Sequence, residues 1–319
     1  MTRSADPLVS IVSPAYNEEA CVRECIESVL AQTYPHWEYT IVDNASTDRT
    51  FEIAREYVAK DDRIRIIRNE TTIPVIANHN LAFRQTSPDA RYVKLVSADD
   101  WIYPQCVEQM VRLAEANPSV GIVGAYSLSG NRVDPATFPF STQVVSGRDV
   151  ARSYLSRGPH LVGAPTPLMF RADIVRAADG EFFRTAALNS DAAACLRVLR
   201  DHDYGFVHQV LTYTRVRERS LTSANNRIHS YLSTILEFLI EFGPSYFTEE
   251  ELRDHIREQL GHYYNELGRQ VFRTRDPEFW SFQRRRLGEL GHPLSRTRLF
   301  VNALLYLLEA TVSRMRRSA

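Results

Sequence analysis

Lysine is nearly absent from this chain of 319 residues. Lys60 and Lys94 are the only two, so 36 of the 38 basic side chains are arginine. A codon bias of the source genome explains that without a functional role. Neither sign of charge is in excess: 38 basic against 39 acidic residues leave a net charge of −1. That balance excludes a global basic field, and no nucleic-acid partner is expected. Cysteine is also scarce. Cys21, Cys25, Cys106 and Cys195 are too few for a disulfide framework, and Cys21 and Cys25 stand four apart rather than in CxxC spacing. A reduced, cytosolic protein is the expectation. Long hydrophobic runs are missing too. The longest, Leu299–Val312, contains Asn302 and Glu309 and falls short of the about 20 apolar residues a membrane span needs. Met1–Pro7 is polar, which predicts no secretory signal. No Walker A loop, GxGxxG, GxSxG, HExxH or CxxC pattern occurs, so dinucleotide binding of the Rossmann kind is unsupported.

What is present is ordinary globular composition, with 44% hydrophobic and 24% charged residues. Apolar, β-branched runs predict strands at Leu8–Pro14, Trp37–Asp43, Ile64–Arg68, Arg91–Val96, Val120–Ser127 and Gly205–Arg215. Helical periodicity predicts helices over about 18–32, with Asn17 as cap, then 46–60 capped by Ser46-Thr47-Asp48, 73–85, 104–116 and 190–201. Strand and helix alternate over the first ~125 residues, which argues for a mostly parallel sheet flanked by helices. Residues 129–189 read as irregular, anchored by a loop entering a strand at Gly163–Phe170. Beyond Asn225 the pattern is helical, roughly 228–242, 248–272, 276–290 and 296–316, punctuated by Gly243-Pro244 and Gly291-His292-Pro293.

In such sheets ligands bind beyond the carboxyl ends of the strands. Three polar clusters fall there: Tyr16-Asn17-Glu18, Asp43-Asn44, and Ser97-Ala98-Asp99-Asp100. Two adjacent carboxylates at the end of an apolar strand repel each other, and a divalent cation gripping a diphosphate would compensate them. A helix N-cap is the plain alternative. Asp43 could accept from a base N–H or a ribose hydroxyl, or simply make a turn. Asp191, beside a helix start, reads by itself as a cap. His160, His202 and His208 are isolated and form no metal spacing.

Taken together, residues 7–222 resemble a family 2 inverting glycosyltransferase of the GT-A fold. The segments 9–18 (VSIVSPAYNE), 26–34 (IESVLAQTY) and 41–48 (IVDNASTD) match that family's PxYN, SVLxQTY and VDxxSTDxT blocks. Residues 92–104 (YVKLVSADDWIYP) match its metal-binding segment, and 212–222 (TYTRVRERSLT) its end-of-domain element. The resemblance implies an α/β GT-A catalytic domain over 1–222, with a nucleotide-sugar half (7–128) and an acceptor half (129–222), followed by a helical extension over 223–319. It implies that Pro14, Ala15, Tyr16 and Glu18 line a nucleotide pocket and that Asp43 pairs with a base edge, uracil first. His79-Asn80 would lie near the nucleotide. Ser97, as a weakened ribose contact, and Ala98 would bind the nucleotide sugar, Asp99 would hold a divalent cation, Mn2+ or Mg2+, and Asp100 would contact that metal or the ribose. Asp191, 92 residues beyond Asp99, falls where the family keeps its catalytic base. Two departures stand out: Ser97 replaces the usual first Asp, and Arg217 stands where many members carry a His. Arg215 or Arg217 could neutralise a departing diphosphate directly.

The implied activity is transfer of a sugar from a nucleoside diphosphate sugar, UDP first, to a hydroxyl of a saccharide or lipid-linked acceptor, with inversion. Two rivals remain: a non-catalytic nucleotide-sugar sensor or scaffold, and a nucleotidyltransferase, whose glycine-rich loop after strand one is missing. The C-terminal helices read as a structural cap or a homodimer surface. Alternatively, 296–317, an apolar stripe with arginines at both ends, makes a peripheral contact with the cytoplasmic membrane face.

Overall fold

The computed structural model describes residues 6–133, 138–158, 162–185, 189–217 and 228–318, with side chains in the last helix described up to Glu309. It divides into two compact units. One comprises residues up to Tyr154 together with Gly158–Val216; the other comprises Leu155–Arg157 and Arg217 onward.

The first unit is built on a sheet. Its strands are β1 (Val9–Ala15), β2 (Trp37–Asp43), β3 (Ile64–Arg68), β4 (Tyr92–Leu95), β5 (Trp101–Ile102), β6 (Val120–Ser129), β7 (Arg132–Val133), β8 (Val144–Val145), β9 (Leu168–Arg171) and β10 (Asp203–Thr214). They run in the order β3-β2-β1-β4-β9-β6-β10-β5, with β7 beside β6 and β8 beside β10. The β3-β2-β1-β4 half is parallel, as is the long β6–β10 pair, while β9 runs antiparallel to both β4 and β6. The sheet is therefore mainly parallel, as expected. The strand entered by Gly163–Phe170, β9, lies between β4 and β6.

Alternation explains how the sheet is covered. Val9, Ile11 and Ala15 of β1 and Trp37, Tyr39 and Ile41 of β2 share one face. They pack with α1 (Val22–Leu30), α2 (Thr50–Val58) and α4 (Cys106–Ala116) in one buried cluster. The helices α3 (Val75–Arg84), α6 (Ala172–Ala177) and α7 (Ser190–Leu199) lie against β1, β2, β4, β6 and β9. Phe83, Phe170, Phe182 and Phe183 interlock there at centroid distances of 5.0–6.2 Å.

Several local expectations are corrected. Asn17 does not cap a helix. It adopts a left-handed backbone (φ 53°), and its Oδ1 accepts the Thr47 N–H at 2.8 Å, so α1 starts only at Val22. Helix α2 starts at Thr50 rather than at Ser46; Asp48 does meet its first N–H (Oδ1 to Thr50, 2.9 Å), while Ser46 Oγ and Asp48 Oδ2 fasten the loop after β1. The region 129–189 is not irregular throughout. It carries α5 (Gly147–Leu155), whose buried Val150, Ala151 and Tyr154 recur at helical spacing.

The second unit is helical: α8 (Tyr231–Tyr246), α9 (Glu249–Gln270), α10 (Pro277–Glu289) and α11 (Arg296–Ser318). Pro244 does not end α8. It lies in the last turn, where its missing N–H forfeits a single carbonyl partner. Thr248 and Glu251 form a reciprocal capping box at the start of α9. Leu232, Leu236, Leu260, Tyr263, Leu267, Phe279 and Leu287 make the core of this unit.

Candidate active site

The carboxyl ends of β1 and β2 are in register, Ala15 beside Asp43. Pro14 and Ala15 are buried, Glu18 is half-buried, and Tyr16 is exposed. The loop after β1 is fastened to the loop after β2. The Asn17 N–H donates to Ser46 Oγ (2.9 Å), the Glu18 N–H to Thr50 Oγ1 (2.6 Å) and the Glu19 N–H to Asp48 Oδ2 (3.0 Å). Asp43 is fully buried. Its Oδ2 accepts the Ser46 N–H (3.2 Å) and faces Arg68 Nε (3.3 Å). Its Oδ1 has no hydrogen-bond partner among the described residues. A buried carboxylate oxygen left this way is costly unless a donor from elsewhere meets it.

At the end of β4, Ser97–Asp100 form a turn closed by the Asp100 N–H on the Ser97 carbonyl (2.8 Å). Asp100 is buried and anchored on both oxygens: Oδ2 accepts from Thr166 Oγ1 (2.7 Å) and Oδ1 from the Arg215 N–H (3.0 Å). Thr166 also receives the Ser97 N–H (3.1 Å). Its carbonyl, with that of Leu168, is held by Nζ of Lys94, a lysine wholly buried in β4 whose pKa is pushed down by burial. The Arg215 guanidinium spans the turn from the Asp99 carbonyl (3.1 Å) to Glu24 on α1. Asp99 itself is only partly buried, and Ala98 behind it is buried.

Asp191 stands in the first turn of α7, where its Oδ1 accepts the Ala192 N–H (2.8 Å). Asn189, the residue before α7, is left-handed (φ 52°). Loss of water around Asp191 raises its pKa, opposed by the backbone N–H groups of Ala192 and of Asp191 itself and then by the charge of His79. Loss of water lowers that of His79, opposed by the Val75 carbonyl and then by the charges of Asp191 and Asp99. One imidazole thus feels both carboxylates. Its Nδ1 donates to the Val75 carbonyl (2.8 Å), which leaves Nε2 as the ring's remaining polar atom. Asn80, its neighbour, is buried, with both ends of its amide committed to the backbone of Phe183 (2.6 and 2.8 Å). It holds the 181–185 segment in place.

Asp99 and Asp100 therefore have different tasks. A hard cation of the Mg2+ type takes one or two carboxylates and completes its shell with phosphates and water. Asp99 fits the protein's share of such a shell, and Asp100 fixes the turn that presents it. No cluster of three His, Cys, Asp or Glu side chains that could hold a metal by itself occurs among the described residues. His208 is occupied with the Thr142 carbonyl (2.7 Å), and His160 lies outside the described residues, as do residues 218–222 of the end-of-domain element. Arg217 opens the helical unit.

Thr166 and Lys94 were not foreseen. Lys94 left one trace in the sequence, a lone charge inside the apolar run YVKLV, and Thr166 another, a threonine between two prolines.

The strand order, with these polar groups at the strand ends, is that of a GT-A fold, and solved structures share it. TarS 1–349 of S. aureus in complex with UDP-GlcNAc superposes with a TM-score of 0.67 at 17% identity, covering 88% of this chain and 80% of that one. The mannosyltransferase PcManGT of Pyrobaculum calidifontis, in complex with GDP-Man and Mn2+, gives 0.59 at 18% identity, covering 98% and 88%. The family model "Glycosyl transferase family 2" matches residues 10–175, just over half of the chain, and the chain belongs to that family. Among curated relatives, Bacillus subtilis EpsE, named as a glycosyltransferase, is 33% identical over 141 residues, 42% of this chain and 50% of EpsE. TuaG of the same organism, named for teichuronic acid biosynthesis, is 34% identical over 123 residues, 38% of this chain and 48% of TuaG. The chain spans about half the length of these relatives.

Proposed function

We propose that this protein transfers one sugar from a nucleoside diphosphate sugar to an acceptor hydroxyl with inversion at the anomeric carbon. The observation that carries the reading is the buried, unpartnered Asp43 Oδ1 at the paired ends of β1 and β2. An imide N–H satisfies it, which makes uridine the first choice of base. The support from similarity is the UDP-GlcNAc complex of TarS. Pro14, Ala15, Tyr16 and Glu18 line the nucleoside side, and Ser97 and Ala98 border the ribose. Asp99, seated by Asp100, Thr166 and Arg215, faces the diphosphate. Asp99 would hold a divalent cation such as Mn2+ or Mg2+, which would supply positive charge against the leaving diphosphate.

Asp191 acts as the general base. Its raised pKa suits a carboxylate that must take a proton from an alcohol. Attack from the Asp191 side, opposite the diphosphate, inverts the sugar. Arg215 adds positive charge for the leaving group. The acceptor, a saccharide or a lipid-linked saccharide in envelope polysaccharide assembly, is received by residues 129–222.

The test is release of nucleoside diphosphate from a panel of nucleotide sugars with and without Mn2+, alongside thermal shift. Transfer with nucleoside diphosphate release is expected. A thermal shift without any release would instead indicate a sensor, and pyrophosphate release a nucleotidyltransferase. Asp99→Ala is expected to weaken donor binding roughly 10- to 100-fold and abolish stimulation by Mn2+. Donor affinity that is unchanged with and without chelator would remove Asp99 from that role.

A further inference from the structure

Among the described residues, helix α11 packs on its own unit through the side that carries Ala303 and Tyr306. Gly268 of α9 lies against the backbone of Asn302 and Ala303, so close that a Cβ there would meet three backbone atoms at 2.7–2.9 Å. Ala303 is buried in that contact. Tyr306 stacks on Phe272 (6.0 Å), and the guanidinium of Arg273 stands over the same ring (5.8 Å). With that side occupied, Phe300, Val301, Leu304, Leu305 and Leu308 face outward. Phe300 is 70% and Leu308 56% exposed, and the others are close to half exposed. Their spacing, i, i+1, i+4, i+5 and i+8, makes one continuous stripe. Phe272, half exposed beside Tyr306, extends it. A contiguous patch of large apolar side chains marks an interaction surface.

Charge decides what covers it. Arg296 and Arg298 precede the stripe, Arg273 flanks it, and Arg314, Arg316 and Arg317 follow it in the sequence. Glu309 is the one acidic residue in 296–318, so this segment carries a net charge of +4 in a chain whose total is −1. A two-fold dimer sets the same surface on itself. Because both ends of the stripe are basic, parallel and antiparallel pairings alike would bring arginine against arginine. An anionic lipid surface meets both features at once: the stripe enters the acyl boundary while the arginines lie among headgroups. No helix among the described residues is long and apolar enough to cross a membrane, and the stripe from 300 to 308 extends only about 12 Å at 1.5 Å per residue.

We propose that α11 is an in-plane anchor for an anionic bilayer surface. The proposal rests on the helical unit alone and stands or falls separately from the transfer reaction. The full-length protein is mixed with phosphatidylcholine vesicles, with and without phosphatidylglycerol, and sedimented. Binding is expected only to the anionic vesicles and declines with added salt. Arg314→Gln/Arg316→Gln/Arg317→Gln should lower the partition coefficient roughly 100-fold, at about 1 kcal/mol per charge. Phe300→Ser/Leu304→Ser/Leu308→Ser should abolish binding with the circular dichroism spectrum unchanged. If the serine variant misfolds, the arginine variant, which alters no apolar side chain, carries the test. Absence of binding to anionic vesicles would overturn the proposal. So would equal binding to neutral vesicles, or a stable dimer in sedimentation velocity that the serine substitutions dissociate.

Discussion

The sheet unit and the helical unit treat polar atoms in opposite ways. In the sheet unit Asp43, Asp100 and Thr166 are buried at strand ends, where they fix the turns, and Lys94, buried within β4, holds the carbonyls of Thr166 and Leu168. In the helical unit the buried polar groups sit between helices. Gln259 bonds the Leu232 carbonyl (3.0 Å) and Gln283 the Ile228 carbonyl (2.6 Å), while large apolar side chains face outward on α11. The difference separates two jobs. A site that must hold charge in fixed places is built from polar struts, and a surface that must exclude water is built from what it leaves uncovered.

The comparison can be broken at several points. The largest effect is expected at Asp191. Asp191→Asn should lower kcat about 10³-fold, the scale of a lost general base, with donor affinity intact. Its melting temperature should not fall, because the substitution removes a charge that burial already disfavours. For the wild type the sign is definite. Only the deprotonated base works, and its pKa is raised, so kcat should decline on acidification at a pH above the ordinary aspartate range. A variant as active as wild type, or an acid limb at the ordinary position, would remove Asp191 from the chemistry.

Next comes Lys94. Lys94→Met leaves the Thr166 and Leu168 carbonyls buried without their donor and should destabilise the sheet unit by about 3 kcal/mol. Denaturant unfolding measures it, and a change below about 1 kcal/mol would deny Lys94 its strut role. Asp43→Asn keeps the shape but offers the base a different edge. It should cost about 1.5–3 kcal/mol of nucleotide affinity and leave binding of inorganic diphosphate unchanged in calorimetry. An equal loss for both ligands would place Asp43 elsewhere in the mechanism. The smallest effect tests the helical side. Gly268→Ala should cost about 1–3 kcal/mol through the backbone of Asn302 and Ala303. The thermal shift produced by the nucleotide should survive; its loss would show that the units do not keep their jobs apart.

How far the sequence could be read follows the same division. The parallel half of the sheet was legible because β-branched runs with turn signals leave few alternatives, and its motif residues Asp43, Asp99 and Asp100 do sit at strand ends. Less legible was everything set by contacts distant in sequence. The insertion of β9 between β4 and β6 depends on pairing across about 75 residues, from Lys94 to Met169. The left-handed turn at Asn17 depends on partners near Thr47, and local pattern alone suggested a cap. Asp99 and Asp100 look alike in sequence, yet Thr166 and the Arg215 N–H claim only one of them. In the helical unit the periodicity placed all four helices, but not Gly268, whose meaning lies in a neighbour more than 30 residues away.

The seclusion of Lys94 has a practical corollary. Lys60 is exposed and Lys94 is sealed inside the sheet, so the folded chain offers amine-directed reagents a single lysine. Acylation of Lys94 would then register the opening of the sheet itself, a clock for unfolding that the protein carries without any added label.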